Sequence, residues 1–308
     1  MEEKMSIPKP ILKWVGGKTQ IIDKLLSNFP TEMNNYHEIF LGGGSVLFAL
    51  LSFVKNGSIK IHGTIQAYDI NEPLIYMYKN IQVSPNELFD TIQILLSEYT
   101  NCPSEGLLNR NPQTLEEAKV CKENYYYWIR SQYNSLSREE KKGWMGSSML
   151  IFLNKTCFRG VFRIGPRGFN VPFGHYKNPE ILNQQHLETI HKLIQDVVFE
   201  CCDFTVSLSK VQPDDFVYLD PPYAPETDTS FVQYTEKGFT LEQHKDLFTR
   251  LQQFSKQKIK FMMSNSDTRL VQKYFSSRNY NISSIVCKRT INSKNPEAKT
   301  KEVVILNF

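Results

Sequence analysis

Apolar and polar positions in the first 75 residues alternate between two spacings. Apolar residues after the first glycine pair recur every three to four positions, which predicts one face of a helix: Ile21, Ile22, Leu25, Leu26 and Phe29. Short apolar runs over 36–41 and 65–70 predict strands, and residues 46–54 continue as a helix after a run of three glycines. This order of elements predicts a βαβ unit.

The same alternation returns after Pro179. Helical spacing recurs over 187–194 and 241–254, and short apolar runs predict strands over 197–199, 216–219, 259–263, 282–286 and 303–306. The segment between the two parts is polar and rich in tyrosine, with a predicted helix over 115–133 and a predicted hairpin near its end. We therefore expect an α/β sheet formed by residues 1–74 and 177–308, divided by a helical domain over 75–176.

The composition is that of an ordinary globular protein of 308 residues, 41% hydrophobic and 22% charged. At about 150 residues per domain, this length corresponds to about two domains. The longest strongly apolar stretch, residues 46–54, is much shorter than the ~20 residues that span a bilayer. The N-terminal sequence lacks the pattern of a secretory signal. We expect a protein without a membrane segment, located in the cytoplasm or in the compartment of the host that contains nucleic acid.

The six cysteines form no CxxC pair, and the histidines form no HExxH motif. In a chain of this length, such cysteines are typical of reduced, buried residues rather than of a disulfide framework. Zinc sites need closely spaced Cys or His ligands. The sequence therefore predicts no metal.

Positive charge is concentrated in one segment, although the net charge is only +4. Residues 141–177 contain seven Lys or Arg side chains and no Asp or Glu. Aromatic residues alternate with these cations, and glycines and prolines indicate turns. Such a mixture suits phosphate neutralisation and contact with bases, so nucleic acid is the favoured partner. A solvated basic face is the alternative.

The glycine run Gly42-Gly43-Gly44 lies between a predicted strand and a predicted helix, where the backbone can approach a ligand closely. The dinucleotide motif GxGxxG does not fit, because Leu47 stands where the third glycine belongs. Lys18 follows Gly17 as in a phosphate-binding P-loop, but the first glycine of that motif is replaced by Leu12.

An acidic residue, Asp69, follows Gly44 by 25 residues. This is close to the spacing of about 20 residues that is expected for a carboxylate that binds ribose hydroxyls. Together the glycine turn and Asp69 indicate an adenosine-type cofactor, with a tight structural connection as the alternative.

The sequence Asp220-Pro221-Pro222-Tyr223 directly follows the apolar strand 216–219. Side chains at the carboxyl end of such a strand face the ligand crevice of an α/β sheet. The prolines make the turn stiff and remove N–H donors, so a carboxylate and a carbonyl are presented as acceptors. These two acceptors and a ring match the exocyclic amino group of a planar base. The alternative is a proline-rich turn with a solvent-exposed Asp.

With these residues, the chain resembles the Dam-type family (class alpha, D12) of S-adenosylmethionine-dependent DNA adenine N6-methyltransferases. The matching segments follow the family order: residues 12–18, 40–44, 69–71, 203–204, 220–223, 238–240, 264–267 and 291–293. The resemblance implies an α/β fold with a Rossmann-like class I methyltransferase sheet. It also implies an inserted helical target-recognition domain that carries a β-hairpin.

The resemblance assigns a cofactor site and a catalytic site. Asp69 would hold the ribose of S-adenosylmethionine, and Asp203 and Phe204 would border its adenine. The structural alternatives are that Lys18 caps a helix and that Phe204 packs in the hydrophobic core. The catalytic residues would be Asp220, Pro221, Pro222 and Tyr223. The cofactor-binding residues would be Trp14, Lys18, Phe40, Gly42, Gly44, Asp69, Asp203, Phe204 and Asp220.

Residues 154–174 resemble the recognition hairpin of the family, which enters the major groove. The resemblance implies that Arg163 contacts guanine, that Phe158 and Val161 lie beside the flipped base, and that Lys13 reaches the outer base pair. Arg159 departs from the pattern, because the Dam enzyme has Asn there in a Tyr-Asn-Gly turn. The predicted DNA-binding residues are Lys13, Lys155, Phe158, Arg159, Val161, Arg163, Asn170 and Pro172.

The sequence therefore predicts a methyltransferase that acts on N6 of a flipped adenine in double-stranded DNA, in GATC or a related short palindrome. A monomer with a possible cognate restriction endonuclease is expected. One alternative is an RNA adenine N6-methyltransferase, because the motif at 220–223 binds the base and not the sugar. Another is a catalytically inactive DNA-binding module. A base deaminase is excluded because its zinc site needs PCxxC as well as HxE, and the sequence contains no PCxxC.

Overall fold

The structure is a computed structural model that describes residues 7–224, 238–288 and 299–308. Two short 3₁₀ turns lie at Thr19–Ile21 and Phe158–Gly160. The helices are α1 (Ile22–Leu26), α2 (Ser45–Lys55), α3 (Glu72–Val83), α4 (Pro85–Asn101), α5 (Leu115–Ala118), α6 (Lys122–Ser135), α7 (Arg138–Lys142), α8 (Trp144–Thr156), α9 (Gln184–Leu193), α10 (Phe204–Leu208), α11 (Leu241–Lys256) and α12 (Arg269–Tyr274).

Most strands belong to one central sheet, and two smaller sheets have two strands each. The strands are β1 (Glu32–Met33), β2 (Tyr36–Glu38), β3 (Lys60–Ile61), β4 (Ile65–Asp69), β5 (Ile164–Gly165), β6 (Gly168–Phe169), β7 (Val197–Cys201), β8 (Phe216–Leu219), β9 (Lys260–Ser266), β10 (Asn281–Lys288) and β11 (Lys299–Leu306).

The described residues separate into two compact units. The sheet unit contains those of Gly17–Ile70 and Asp196–Phe308, and the helical unit contains Pro8–Gly16 and Asn71–Gln195. The helical unit is thus larger than the predicted inserted segment 75–176. It includes Pro8–Gly16 because the Asn154 side chain accepts the Lys13 N–H and donates to the Lys13 carbonyl, at 2.8 and 2.9 Å.

The central sheet of the sheet unit has seven strands in the order β10-β11-β9-β8-β2-β4-β7. The pairs β9·β8, β8·β2, β2·β4 and β4·β7 are parallel, and β11 is antiparallel to both of its neighbours. The chain order changes direction between β2 and β8, since β2 pairs with β4 on one side and β8 on the other. Open α/β sheets bind ligands in the crevice at such a switch point, beyond the carboxyl ends of the strands.

The central strands are buried because helices cover the sheet. All four residues of β8 are buried, which is typical of a parallel strand covered on both faces. Apolar side chains of α11, including Leu247, Phe248 and Leu251, pack into one cluster with Phe261 and Met263 of β9. This core fixes the strand ends that carry the candidate site.

The core of the helical unit is rich in tyrosine. Tyr99, Tyr125, Tyr126 and Tyr133 are each at most 2% exposed, although each carries a hydroxyl group. The Tyr126 hydroxyl donates to the Val171 carbonyl at 2.7 Å, which fixes the segment that follows β6. Helix α8 contacts α3, α4 and α6, so it lies at the centre of this unit.

Several predicted elements differ from the structure. The single helix predicted over 115–133 is divided into α5 and α6 by extended backbone at Cys121 (φ −158°). The Asn124 side chain explains this break, because it donates to the carbonyls of Leu107 and Glu117. The helix predicted from Ile21 to Phe29 is limited to α1 after a 3₁₀ turn.

The basic segment 141–177 contains the helix α8, although its glycines and prolines indicated turns. The almost continuous apolar run in α8 hides the helical spacing, because nearly every face of this helix is buried. The predicted α/β fold with a central sheet is confirmed. Within the described ranges, no helix is long and apolar enough to cross a membrane.

Candidate functional site

The sequence-predicted acids of the sheet unit follow the carboxyl ends of neighbouring strands. Asp69 ends β4, Asp203 follows β7 and Asp220 follows β8, while the glycine turn at 42–44 follows β2. Because β2, β4, β7 and β8 are parallel, these positions lie along one edge of the sheet. The topology therefore brings together residues that lie far apart in the chain.

The glycine turn depends on backbone angles that favour glycine. Gly42 and Gly44 have φ values of 51° and 73°, in the left-handed region, and α2 begins at Ser45. The Gly42 N–H donates to Oδ2 of Asp69 at 2.9 Å. The carboxylate of Asp69 is thus held against the turn.

Three phenylalanine rings cluster beside these strand ends. The ring centroids of Phe40 and Phe204 lie 6.1 Å apart, and Phe239 lies 5.9 Å from Phe40 and 5.5 Å from Phe204. Phe204 is only 5% exposed and belongs to a hydrophobic core cluster, so it has a structural role. Phe40 and Phe239 are partly exposed and extend this apolar surface.

Asp203 begins α10 as its N-cap. Its Oδ1 accepts the Thr205 N–H at 2.9 Å and the Thr205 hydroxyl at 2.7 Å. This bond satisfies one of the first N–H groups of the helix, as N-cap side chains commonly do. The predicted contact of Asp203 with the cofactor stays a prediction.

Lys18 forms an ion pair with Asp220. The distance between Nζ of Lys18 and Oδ2 of Asp220 is 2.7 Å, and the two side chains are 4% and 19% exposed. The backbone N–H of Lys18 donates to the Ser45 hydroxyl at the start of α2. Lys18 is the N-cap residue of the 3₁₀ turn, but its side chain forms no capping bond there and pairs with Asp220 instead.

The surroundings of Asp220 make its carboxylate more basic. Burial raises its pKa to about 6, the ion pair with Lys18 opposes that rise, and the negative charge of Glu302 adds to it. Oδ1 of Asp220 is inaccessible to water and has no hydrogen-bond partner among the described residues. Because a buried, unsatisfied acceptor is costly, this atom would gain from a donor.

The loop after Asp220 is held by two strands. Asn265 of β9 accepts the Ala224 N–H at 3.0 Å, and the Ser266 hydroxyl donates to the Ala224 carbonyl at 2.7 Å. The Tyr223 hydroxyl donates to Glu302 of β11 at 2.8 Å. Residues 264–267 match the family, but the resemblance assigned them no role. Their polar side chains end an otherwise apolar strand, and this pattern was the signal in the sequence that could have indicated a role.

Glu38, which no motif marked in the sequence, ends β2 and is 2% exposed. Its Oε2 accepts the Tyr36 hydroxyl at 2.8 Å. Burial raises the pKa of Glu38 to about 8, a rise that the bond from Tyr36 opposes and the charge of Asp220 increases. This buried acid lies two residues before Phe40. It falls within the predicted strand, so no motif or spacing distinguished it in the sequence.

The helical unit contains the predicted hairpin, formed by β5 and β6, with Ile164 opposite Phe169. Nε of Arg163 donates to Oδ1 of Asn170 at 2.6 Å, and its Nη2 donates to the Asn170 carbonyl at 3.3 Å. Arg163 and Asn170 are both exposed. The hairpin therefore presents a guanidinium group whose orientation is already restricted.

The remaining hairpin residues lie around the 3₁₀ turn. Phe158 is 47% exposed, and its N–H donates to the Pro172 carbonyl at 2.8 Å. Arg159 is exposed and has a φ of 57°, a left-handed conformation that is uncommon for arginine. Val161 is half-buried, and its N–H donates to the Phe158 carbonyl.

Lys13, Trp14 and Lys155 also belong to the helical unit. Nζ of Lys13 lies 3.8 Å from the centroid of the Tyr176 ring. Trp14 stacks on Phe162 with a centroid distance of 5.8 Å. Lys155 is half-buried, and burial together with the nearby charge of Lys13 lowers its pKa.

The donor set in the sheet unit fits S-adenosylmethionine. The glycine turn offers close backbone approach, Asp69 offers a carboxylate, and the phenylalanine rings offer an apolar surface for a purine. No group of three or more His, Cys, Asp or Glu side chains in the described part of the chain could hold a metal ion. Residues 291–293, which match the family, lie outside the described residues.

The fold and these strand ends define a Rossmann-like methyltransferase of class I. The sequence model of the D12 class of N6 adenine-specific DNA methyltransferases matches residues 14–291. The chain belongs to this family.

Three relatives cover nearly the whole chain. The type II methyltransferase M.MjaIII of Methanocaldococcus jannaschii is 34% identical over 97% of this chain and 99% of its own length. The DNA adenine methylase of Haemophilus influenzae is 28% identical over 97% of this chain and 93% of its own length. The Retron Ec67 DNA adenine methylase of Escherichia coli is 29% identical over 96% of this chain and 90% of its own length. These names do not favour the RNA methyltransferase or the inactive module.

Proposed function

We propose that this adenine-specific DNA methyltransferase flips its target adenine out of duplex DNA and methylates it within GATC or a related short palindrome. The observation that carries this proposal is the state of Asp220. One carboxylate oxygen is paired with Lys18, and the other is a buried acceptor without a hydrogen-bond partner among the described residues. An amino group on a flipped base supplies the missing donor.

Asp220 would accept one hydrogen of the adenine amino group, and the Pro221 carbonyl would accept the other. These two acceptors turn the nitrogen lone pair out of conjugation with the ring. Rotation of the carboxylate about χ2 is soft, so either oxygen can turn to accept this bond. Tyr223 would stack on the base, a contact that contributes about 1–3 kcal/mol.

Six residues of the sheet unit would hold S-adenosylmethionine: Phe40, Gly42, Gly44, Asp69, Asp203 and Phe204. Trp14, Lys18 and Asp220 complete the proposed set on the resemblance to the family. When bound, S-adenosylmethionine supplies a methyl group on a positively charged sulfur. The carboxylate of Asp220 complements positive charge and needs no strong basicity, because the nitrogen can lose its proton after it has been methylated.

The hairpin of the helical unit would provide the sequence preference. Asn170 holds Nε and one N–H of Nη2 of Arg163. The fork still has an N–H on each terminal nitrogen that can point to O6 and N7 of guanine. Lys13, Lys155 and Arg159 would contact the DNA backbone or the outer bases, and Phe158, Val161 and Pro172 would lie beside the target base pair.

We propose that the enzyme acts as a monomer and that S-adenosylmethionine and double-stranded DNA are its substrates. One relative is named a type II methyltransferase. We therefore propose a cognate restriction endonuclease as a partner.

Sequencing of plasmid DNA from a methylation-free host that expresses the chain tests the proposal. We expect N6-methyladenine at one short palindrome, and none in a host that expresses Asp220→Ala. N6-methyladenine without a shared sequence would contradict the assigned role of the hairpin. Comparable methyl incorporation into folded RNA and duplex DNA would contradict the choice of DNA.

A further inference from the structure

Tyr223 is bound to a residue that lies 79 positions later in the chain. Its hydroxyl donates to Oε2 of Glu302, which lies on the antiparallel strand β11, at 2.8 Å. In the register of the sheet, Glu302 pairs with Ser266 of β9. Strand β11 thus contacts Tyr223, and the neighbouring strand β9 contacts the next residue of the same loop, Ala224.

The backbone around Tyr223 is fixed on both sides. Pro222 restricts the preceding φ angle. Ala224 is bound through its N–H to Asn265 and through its carbonyl to Ser266. With the backbone fixed, the remaining freedom of Tyr223 lies in χ1 and χ2, and the bond to Glu302 restricts both angles.

The same ring lies between charges of opposite sign. Nζ of Lys18 lies 5.0 Å from its centroid, and Lys18 is in turn paired with Asp220. Glu302, Tyr223, Lys18 and Asp220 therefore form a continuous chain of contacts. A phenol that donates to a carboxylate has a more electron-rich ring, which strengthens the attraction to the ammonium group.

We propose that Glu302 is a positioning residue for the target base, because its carboxylate fixes the plane of the Tyr223 ring on which the adenine stacks. This inference rests on the proposed function and extends it to a residue outside the Asp220–Tyr223 motif. Glu302 acts through Tyr223 and touches neither the reacting nitrogen nor the methyl donor. Its negative charge also faces Asp220, where it adds to the effect of burial on the pKa of that carboxyl.

The inference predicts that Glu302 and the Tyr223 hydroxyl act as one unit. We expect Glu302→Ala and Tyr223→Phe each to lower kcat about tenfold, since a small misplacement of a reacting group can cost as much as 100-fold. The double variant should lose no more than the larger single effect, because both changes break the same bond. KM for S-adenosylmethionine should stay within about twofold in each variant.

Glu302→Gln separates positioning from charge. The glutamine amide oxygen can accept the Tyr223 hydroxyl bond, so this variant should recover most of the activity that is lost in Glu302→Ala. A matched control is Glu200→Ala, which removes a carboxylate at the end of β7 in the same sheet. Glu200 is bound to Lys210 and not to the loop at 220–224, so kcat should be unchanged.

A fluorescent base gives a readout that does not depend on methyl transfer. 2-Aminopurine at the target position is quenched when it stacks on a ring. We expect higher emission in complexes of Glu302→Ala and Tyr223→Phe than in wild type, and wild-type emission in Glu302→Gln. Thermal unfolding of each variant shows whether it is folded, and Tyr223→Phe keeps the test available if Glu302→Ala does not fold.

The outcomes separate this inference from the proposed function. Wild-type emission and kcat in Glu302→Ala, or additive losses in the double variant, would overturn the role of Glu302 and leave the proposed function intact. Absence of N6-methyladenine or of base flipping with wild-type protein would overturn the proposed function itself.

Discussion

The ammonium group of Lys18 lies 2.7 Å from the carboxylate of Asp220, and both side chains are largely buried. Lys18 precedes α1, whereas Asp220 follows β8, so most of the chain separates the two residues. The pair occupies one oxygen of the carboxylate and leaves the other as a buried acceptor. This division of the two oxygens leads to the first two predictions.

Asp220→Ala should lower the rate of methyl transfer by at least about 10³-fold, because alignment and charge complementarity at the amine are both lost. Affinity for duplex DNA should fall less than about threefold, since the phosphate contacts that dominate affinity come from other residues. Single-turnover methyl transfer and fluorescence anisotropy measure the two quantities. Wild-type turnover in this variant would refute the role of Asp220.

The pH dependence of kcat/KM should show an acidic limb near pH 6, because burial raises the pKa of Asp220 to about 6 and the protonated carboxyl loses an acceptor. Lys18→Gln removes the positive charge that lowers this pKa, so the limb should move to higher pH. Glu302→Gln removes a negative charge and should move it to lower pH. Glu38, Tyr218 and Tyr223 also interact electrostatically with Asp220. Shifts of the same sign in both variants would contradict the assignment of the limb to Asp220.

Arg163→Ala should reduce sequence discrimination by about 1–3 kcal/mol, the contribution of one bidentate contact to guanine. The discrimination is measured between the preferred site and a site in which another base takes the place of the guanine. Arg167→Ala is the matched control, since Arg167 is an exposed arginine in the turn of the same hairpin. The control should weaken binding to all DNA about equally. Methylation rates on both duplexes give the ratio, and an unchanged ratio in Arg163→Ala would show that another residue selects the site.

Arg159→Asn should raise the free energy of unfolding by about 0.5 kcal/mol, because Arg159 has a φ of 57° and Asn adopts the left-handed region more readily. The loss of one positive charge should also make DNA binding less dependent on salt by about one counterion. Arg159→Gln removes the same charge without that conformational benefit, so only the salt dependence should change. Urea unfolding and binding at several salt concentrations distinguish the two effects. Equal stability of both variants would indicate that the backbone angle costs little.

Glu38→Gln should stabilise the protein more strongly at pH 7.5 than at pH 5. Burial raises the pKa of Glu38 to about 8 in the folded protein, well above the 4.5 of an exposed glutamate. As the pH rises, the unfolded chain therefore releases this proton at a lower pH than the folded protein does. Between pH 5 and pH 7.5, the wild type loses about 1 kcal/mol of stability for each pH unit. Glutamine cannot titrate and avoids this loss. Urea unfolding at both pH values measures it, and a pH-independent difference would contradict an uncharged Glu38 at neutral pH.

The sequence predicted much of the sheet unit. The apolar run at 216–219 predicted β8, because a strand covered on both faces is usually apolar along its length. The runs at 36–41 and 65–70 predicted β2 and β4, although β2 also buries His37 and Glu38. The glycine run and the motif at 220–223 marked two strand ends, because backbone conformation and acceptor chemistry depend on residue type at those positions.

The division of the helical unit was much harder to predict. The buried face of α8 extends nearly all round the helix, so its spacing carried little information. The Asn124 side chain, which separates α5 from α6, binds carbonyls 17 and 7 residues earlier in the chain, at spacings that match no helix or strand period. Such bonds leave no local pattern in the sequence.

By itself, the sequence determined the types of chemistry available: a stiff corner with a carboxylate, a glycine turn, and a basic hairpin. Only the tertiary structure decided that Lys18 pairs with Asp220, that Glu302 binds Tyr223, and that Asn170 restrains Arg163. Local residue type limits backbone conformation and the donors and acceptors on offer. The choice of partner depends on distances between strands that the chain brings together only when it folds.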